Sequence, residues 1–186
     1  MTAIKILPVF RPVAQAILSF PYKVLARRID LPGGRQGGKT YQVLALCISV
    51  CVNVPKMKLR VLRRTDKDVK EQKIKEIRDI LDTLGLREHY DFEYNKGERI
   101  FKLNNGSEIK LDSLNDEIFN PEEGAKLNLA NEPSGTPGII NFFEECTQLH
   151  PKLVDQYEIS SRVNGDLNRM TPVMNVFVAN PYGIAN

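Results

Sequence analysis

One stretch decides the fold of this chain: Gly33-Gly34-Arg35-Gln36-Gly37-Gly38-Lys39-Thr40. It fits the pattern G-x-x-x-x-G-K-[ST], in which the backbone N–H groups of a glycine-rich loop surround phosphate oxygens. Lys39 would reach the β- and γ-phosphates of a nucleotide, and the Thr40 hydroxyl would ligate Mg²⁺. The alternative is a glycine-rich turn in which Lys39 is only solvated.

The residues on both sides of this loop supply the context that the pattern needs. Short apolar runs at 24–26 and 29–31 predict a strand before it, and the largely apolar run at 41–52 predicts a buried helix after it. A loop between a strand and a helix places the phosphates at the positive end of that helix. The context therefore favours nucleotide binding.

Composition limits the class of protein. A chain of 186 residues with 42% apolar and 26% charged residues is typical of one globular domain. The net charge of +3 is too small to indicate nucleic-acid binding, which would require a local basic patch. Cys47 and Cys51 lie in the predicted apolar helix and are expected to be reduced core thiols, which favours a cytosolic compartment. Pro8, Arg11 and Pro12 interrupt the first apolar stretch, so no signal peptide or membrane span is expected.

Downstream of the loop, predicted strands alternate with predicted helices. Asn105-Gly106 is a typical hairpin turn between alternating segments, and we expect this hairpin to decorate the core fold. The predictions are a strand at 58–63, a helix at about 66–84, a β-hairpin at 92–112, a long loop at 113–137, and strands at 138–143 and 174–179. Such alternation predicts an α/β fold with a mostly parallel sheet and helices on both faces.

Two carboxylates, Glu144 and Glu145, directly follow the apolar run at 138–143. Hydrolysis of a nucleoside triphosphate needs a metal to neutralise phosphate charge and a base to orient the attacking water. Open α/β sheets bind ligands at the carboxyl ends of their strands. Glu144 would hold Mg²⁺ through water, and Glu145 would polarise the nucleophilic water. The alternative is an acidic pair that only favours the N-terminus of a following helix.

Four motifs together resemble the ATPase domain of the tailed-bacteriophage terminase large subunit, the motor that pumps DNA into a procapsid. The glycine loop carries Arg35 two residues after its first glycine, and 142–149 is similar to the acidic motif of the branch with paired glutamates. Val178-Ala179-Asn180-Pro181 resembles the coupling motif, and 94–111 is similar to the hairpin between these motifs. The likeness covers about residues 20–183.

The resemblance implies a P-loop NTPase fold of the additional-strand, RecA-like type with an inserted β-hairpin. It also implies a single ATPase domain over 1–186, with an N-terminal adenine-side segment at 1–22, the hairpin insertion at 92–112 and the loop at 113–137. The family's carboxyl-terminal nuclease domain is not expected, because the sequence ends shortly after Asn180 and Pro181.

The activity that the resemblance implies is Mg²⁺-dependent hydrolysis of ATP, coupled to movement of double-stranded DNA into a procapsid. The expected partners are the DNA, the portal ring, the small terminase subunit and further copies of this chain in a ring. The expected location is the host cell cytoplasm, without a membrane.

Four further residues take roles from the resemblance. Arg162 matches an arginine finger that completes a neighbour's site, and Arg35 is its rival as a cis-acting arginine or sensor of the γ-phosphate. Asn180 would pass the hydrolysis signal to moving parts, and Gln15 would contact adenine. Arg162 could equally be a solvated surface residue, and Asn180 part of a strand-ending turn.

Basic residues are dense between Lys58 and Arg78. They could face DNA phosphates or form an ordinary solvated helix face. They include Arg60, Arg63, Arg64, Lys67, Lys70, Lys73 and Lys75.

Two other functions fit the motifs less fully. One is a helicase-type P-loop ATPase that depends on nucleic acid but needs no capsid. The other is a nucleotide-gated binding module without turnover.

Overall fold

The computed structural model describes residues 8–32, 38–63, 69–113, 136–146 and 171–179. Its helices are α1 (Arg11–Ser19), α2 (Lys39–Asn53) and α3 (Ile74–Thr83), with a 3₁₀ turn at Pro8–Phe10 and a π-helical turn at Val69–Lys73. Its strands are β1 (Arg28–Leu31), β2 (Lys58–Arg63), β3 (Phe92–Asn95), β4 (Ile100–Leu103), β5 (Glu108–Ser113), β6 (Ile139–Glu144) and β7 (Val173–Val178).

Within these ranges the strands form one sheet of seven, in the order β1-β7-β6-β2-β5-β4-β3. The first five in this order are mutually parallel, whereas β4 and β3 belong to antiparallel pairings. β7 lies between β1, which precedes the glycine loop, and β6, which ends in Glu144. The predicted α/β fold with a mostly parallel sheet and an additional strand is therefore confirmed.

Helix α2 is the centre of the core. It contacts β2, β5 and β6 of the sheet and packs against α1 and α3. All six residues of β6 are buried. Because successive side chains of a strand point to opposite faces, both faces of the sheet are covered at β6.

The two cysteines of α2 are buried in this core, as predicted. Burial raises the pKa of both thiols, that of Cys51 to about 12. They therefore stay protonated at neutral pH and act as small apolar side chains.

The predicted hairpin is part of the main sheet and not an addition at its surface. β5 pairs with β2 in parallel and with β4 in antiparallel register, so it is an inner strand of the main sheet. The turn between β4 and β5 contains Asn105, whose side-chain amide donates to the carbonyl oxygens of Cys51 and Val52 in the last turn of α2. Our expectation of a peripheral decoration was wrong, because this turn anchors the hairpin to the central helix.

Some predicted boundaries of strands and helices differ from those in the structure. The strand predicted before the glycine loop is present as β1, but its predicted first part at 24–26 is not a strand, and Val24 and Leu25 are exposed. The helix predicted at 66–84 appears as the π-helical turn followed by α3. Its predicted start, most of the loop predicted at 113–137 and the segment 147–170 lie outside the described residues. None of the described helices has the length and apolar character needed to cross a bilayer.

Candidate functional site

The described end of the glycine loop is Gly38, which lies directly before α2 with a φ of +59°. Glycine adopts this left-handed conformation without the steric cost that a Cβ atom imposes. The first N–H groups of a helix lack intrahelical acceptors and carry the positive end of the helix dipole. Gly38 thus directs the chain into an N-terminus suited to an anion. The rest of the predicted loop, 33–37, lies outside the described residues.

Lys39 is the first residue of α2, and its side chain is buried although it carries an ammonium group. Its Nζ donates a hydrogen bond of 2.6 Å to the carbonyl oxygen of Ala179, directly after β7. Ala179 N in turn donates to the carbonyl oxygen of Leu31, the last residue of β1. Burial lowers the pKa of Lys39, and the nearby Cys146 thiol acts in the opposite direction. The start of α2 is therefore tied to the carboxyl ends of β1 and β7.

A cleft of about 230 Å³ opens beside Lys39. It is lined by Gly38, Lys39, Thr40, Tyr41, Arg63, Gln72, Lys73, Glu76 and Glu144. Lys39 and Thr40, from the predicted phosphate loop, thus face the same cleft as Glu144, from the predicted acidic motif. The parallel strands explain this proximity, since their carboxyl ends meet at one edge of the sheet.

Glu144 is the last residue of β6 and is 6% exposed. Its Oε1 accepts a hydrogen bond of 2.9 Å from Lys73 Nζ. Its Oε2 lies 2.9 Å from Arg63 Nε in an ion pair, yet that oxygen accepts no hydrogen bond from the described residues. A buried acceptor without a hydrogen bond costs about 1–3 kcal/mol. Oε2 is therefore suited to receive a hydrogen bond from a ligand in the cleft.

This donor set fits Mg²⁺. Magnesium usually keeps several waters and is held by one or two carboxylates together with substrate phosphates. The Thr40 hydroxyl and Glu144 Oε2 are oxygen ligands of that kind in one cleft. The described residues contain no group of three or more His, Cys, Asp or Glu that could enclose a metal.

Glu145 directly follows β6 and has a φ of +53°. This left-handed conformation costs a residue with a Cβ atom about 1–2 kcal/mol. Backbone strain of this kind concentrates at functional sites, where surrounding structure maintains it. Glu145 is partly exposed and is not among the described residues that line the cleft.

Of the remaining predicted site residues, only Gln15 lies within the described part of the chain. Gln15 lies on the exposed face of α1 and is not one of the lining residues. Arg35, Arg162 and Asn180 lie outside the described residues.

Five lining residues were not predicted as site residues: Tyr41, Arg63, Gln72, Lys73 and Glu76. Two of them, Arg63 and Lys73, belong to the basic stretch between Lys58 and Arg78. We expected the basic residues of this stretch to face DNA or solvent, but Arg60 and Lys73 are 5% and 3% exposed. The reason is local spacing. Lys73 lies four residues before buried Ile77, on the same helical face, and Arg63 ends β2 beside β6.

No protein-family model matches this chain, and no curated protein matches its sequence. Solved structures do resemble it. The large terminase of a thermophilic bacteriophage superposes with a TM-score of 0.61 at 15% identity, over 90% of this chain and 38% of that one.

Two further structures agree with this. The large terminase of bacteriophage HK97 gives a TM-score of 0.58 at 10% identity, over 95% of this chain and 34% of that one. The terminase of the thermophilic phage in complex with ADP gives a TM-score of 0.59 at 12% identity, over 89% of this chain and 38% of that one. At such identities the likeness is one of fold, and this chain spans little more than a third of each terminase.

Proposed function

We propose that this chain is the ATP-hydrolysing motor domain of a viral DNA-packaging terminase. The observation that carries the proposal is the cleft in which Lys39, Thr40 and Glu144 converge at the carboxyl edge of a parallel sheet. Two findings support it: the fold resembles part of phage large terminases, and one of those terminases is solved in complex with ADP.

The chemistry divides among residues of this chain. The backbone of 33–38 and the N-terminus of α2 would hold the phosphates, while the Lys39 ammonium binds β- and γ-phosphate oxygens. Thr40 and Glu144 would hold Mg²⁺, which supplies neutralisation of phosphate charge. Glu145 would orient the attacking water and accept its proton.

The remaining roles follow the resemblance. Arg162 would stabilise transition-state charge in a neighbouring subunit, with Arg35 as the cis-acting rival. Asn180, directly after Ala179, would transmit hydrolysis from the end of β7, and Gln15 would contact adenine. The working assembly would be a ring of this chain on a portal, with double-stranded DNA and the small terminase subunit.

The test is phosphate release from Mg²⁺-ATP, with and without double-stranded DNA. Lys39→Ala and Glu145→Ala should abolish release, whereas Glu108→Gln, which removes a carboxylate outside the cleft, should leave it unchanged. Arg162→Ala should abolish release and spare ATP binding.

Other outcomes would replace the proposal. Strand separation by the purified chain would indicate a helicase-type ATPase. Saturable binding of ATP with no phosphate release, even with portal and DNA present, would indicate a nucleotide-gated binding module.

A further inference from the structure

One carboxylate of the cleft has no place in the mechanism proposed above. Glu76 lies in the first turn of α3 and lines the cleft together with Lys39, Thr40 and Glu144. Its side chain is 21% exposed, against 7% for that of Glu144, so water reaches Glu76 more readily. Glu145, to which the sequence assigns the attacking water, is not among the described lining residues. Within the described part of the cleft, Glu76 is therefore the carboxylate best placed to contact a water molecule.

The two oxygens of Glu76 have different surroundings. Oε2 accepts a hydrogen bond from Lys73 Nζ, which also donates to Glu144 Oε1 at 2.9 Å. Oε1 accepts no hydrogen bond from the described residues. The contact with Lys73 holds the carboxylate in place, and Oε1 can still accept a hydrogen bond from water.

Lys73 also makes a carboxylate tolerable beside a triphosphate. An unpaired carboxylate would repel the phosphate oxygens. The side chain of Lys73 is 4% exposed and contacts both Glu76 and Glu144, so its charge offsets theirs. An ammonium group has three donors, and both contacts can persist when a phosphate enters the cleft. Glu76 can therefore act as an acceptor next to a phosphate.

The size of the cleft limits what Glu76 can contact. Its volume of about 230 Å³ is smaller than the about 300–1,000 Å³ of typical ligand pockets. The cleft therefore suits the phosphate end of a nucleotide, with its metal and waters, better than the whole molecule. A water beside the terminal phosphate would lie within reach of Glu76.

We propose, resting on the proposed function, that Glu76 is a second catalytic residue, which binds the attacking water. Water has two hydrogens, of which Glu76 Oε1 accepts one and Glu145 the other. Held in this way, the water oxygen directs a lone pair at the terminal phosphorus.

The step balances with these two carboxylates. As the bond from the water oxygen to phosphorus forms, the bond from phosphorus to the bridging oxygen breaks, and its electron pair stays on ADP. One proton of the water passes to Glu145. The other remains on the new phosphate hydroxyl and keeps its hydrogen bond to Glu76.

The test separates turnover from binding. Glu76→Ala should lower kcat for phosphate release from Mg²⁺-ATP, measured with double-stranded DNA, by about a hundredfold. Its Kd for ATP-γ-S, measured by titration calorimetry, should stay within about twofold of the wild-type value. The variant should fold, because the side chain is partly exposed and alanine is the best helix former. The matched control is Asp79→Ala, which removes an exposed carboxylate of the same helix outside the cleft and should change neither quantity.

A wild-type kcat in Glu76→Ala would overturn the inference. A loss of ATP-γ-S affinity as large as the loss of kcat would overturn it too, because Glu76 would then act in binding. Failure of the proposed function looks different. In that case the wild-type chain itself releases no phosphate, and the inference falls with it.

A second variant covers the case in which Glu76 acts only through its ion pair with Lys73. Glu76→Gln removes the charge of that pair and keeps an acceptor oxygen for water. If Glu76 binds the attacking water, kcat of this variant should lie between those of the wild type and Glu76→Ala. An ion-pair role alone predicts the same kcat for Glu76→Gln and Glu76→Ala. A value equal to that of either the wild type or Glu76→Ala would overturn the inference.

Discussion

Lys39 Nζ donates a 2.6 Å hydrogen bond to the carbonyl oxygen of Ala179, which lies 140 residues later in the chain. The bond joins the start of the helix behind the glycine loop to the end of the strand inserted between β1 and β6. Under the proposed function the same ammonium group would also donate to phosphate oxygens, because it has three donors. Lys39 would then connect the phosphates to the residue directly before Asn180.

The burial of Lys39 predicts a pH effect on stability. Burial lowers the pKa of Lys39 from its ordinary value of 10.5. Between the lowered pKa and 10.5 the unfolded chain binds more protons than the folded chain, so rising pH stabilises the fold in this window. The free energy of unfolding of the wild type, minus that of Lys39→Met, should increase as pH approaches 10.5. Urea denaturation across this pH range measures both free energies of unfolding. A difference between them that stays constant with pH would contradict the burial of a charged Lys39.

Loss of the Glu144 carboxylate should destabilise the fold. Glu144→Ala leaves Arg63 and Lys73 without the carboxylate that they share, which should cost about 3–5 kcal/mol in the free energy of unfolding. Glu144→Gln keeps an acceptor oxygen and should cost less. The control is Glu108→Ala, which breaks a more exposed pair with Lys58 and should cost about 1 kcal/mol or less. Equal losses at both positions in urea denaturation would contradict the role of Glu144 as the shared partner.

Replacing Glu145 by glycine should relieve backbone strain and at the same time abolish activity. Glycine adopts the φ of +53° without steric cost, so Glu145→Gly should be more stable than Glu145→Ala by about 1–2 kcal/mol. Neither variant should release phosphate from ATP, because both lack the carboxylate. Thermal unfolding and a phosphate-release assay test the two halves separately. Hydrolysis by Glu145→Ala at the wild-type rate would disprove its assignment as the base.

Gly138 joins the N-terminal segment to the acidic strand through close packing. A Cβ atom at this position would lie 2.7 Å from Phe20 Cε1 and 2.9 Å from Pro21 Cβ. Phe20 is fully buried and cannot move aside easily, so Gly138→Ala should cost about 1–3 kcal/mol. Gly97→Ala, whose nearest contact would be 3.4 Å, is the matched control. Equal denaturation midpoints for the two variants would contradict this packing.

Local patterns predicted most of the elements. The apolar runs that became α2 and β6 are recognisable because both elements are largely buried, so their residues are mostly apolar. The strand before the loop was predicted, but its start was placed too early at 24–26, because a short apolar run carries no information about whether a partner strand covers it.

Long-range relationships were harder to predict. The position of β7 between β1 and β6 was not predicted, since no local pattern specifies strand order. The ion pairs of Glu144 with Arg63 and Lys73 join three separate elements. The basic stretch alone does not show which of its charges are buried. Lys73 could be recognised only from its position on the same helical face as Ile77. Its partner Glu144 could not be recognised, because that contact depends on how the strands are arranged in the sheet.

The most direct test of the central claim is a structure of this chain with ATP-γ-S and Mg²⁺. The triphosphate should lie in the cleft beside α2, with its terminal phosphate on Lys39 and the metal between Thr40 and Glu144. A nucleotide bound elsewhere on the chain, or one in the cleft without contact to Lys39, would contradict it.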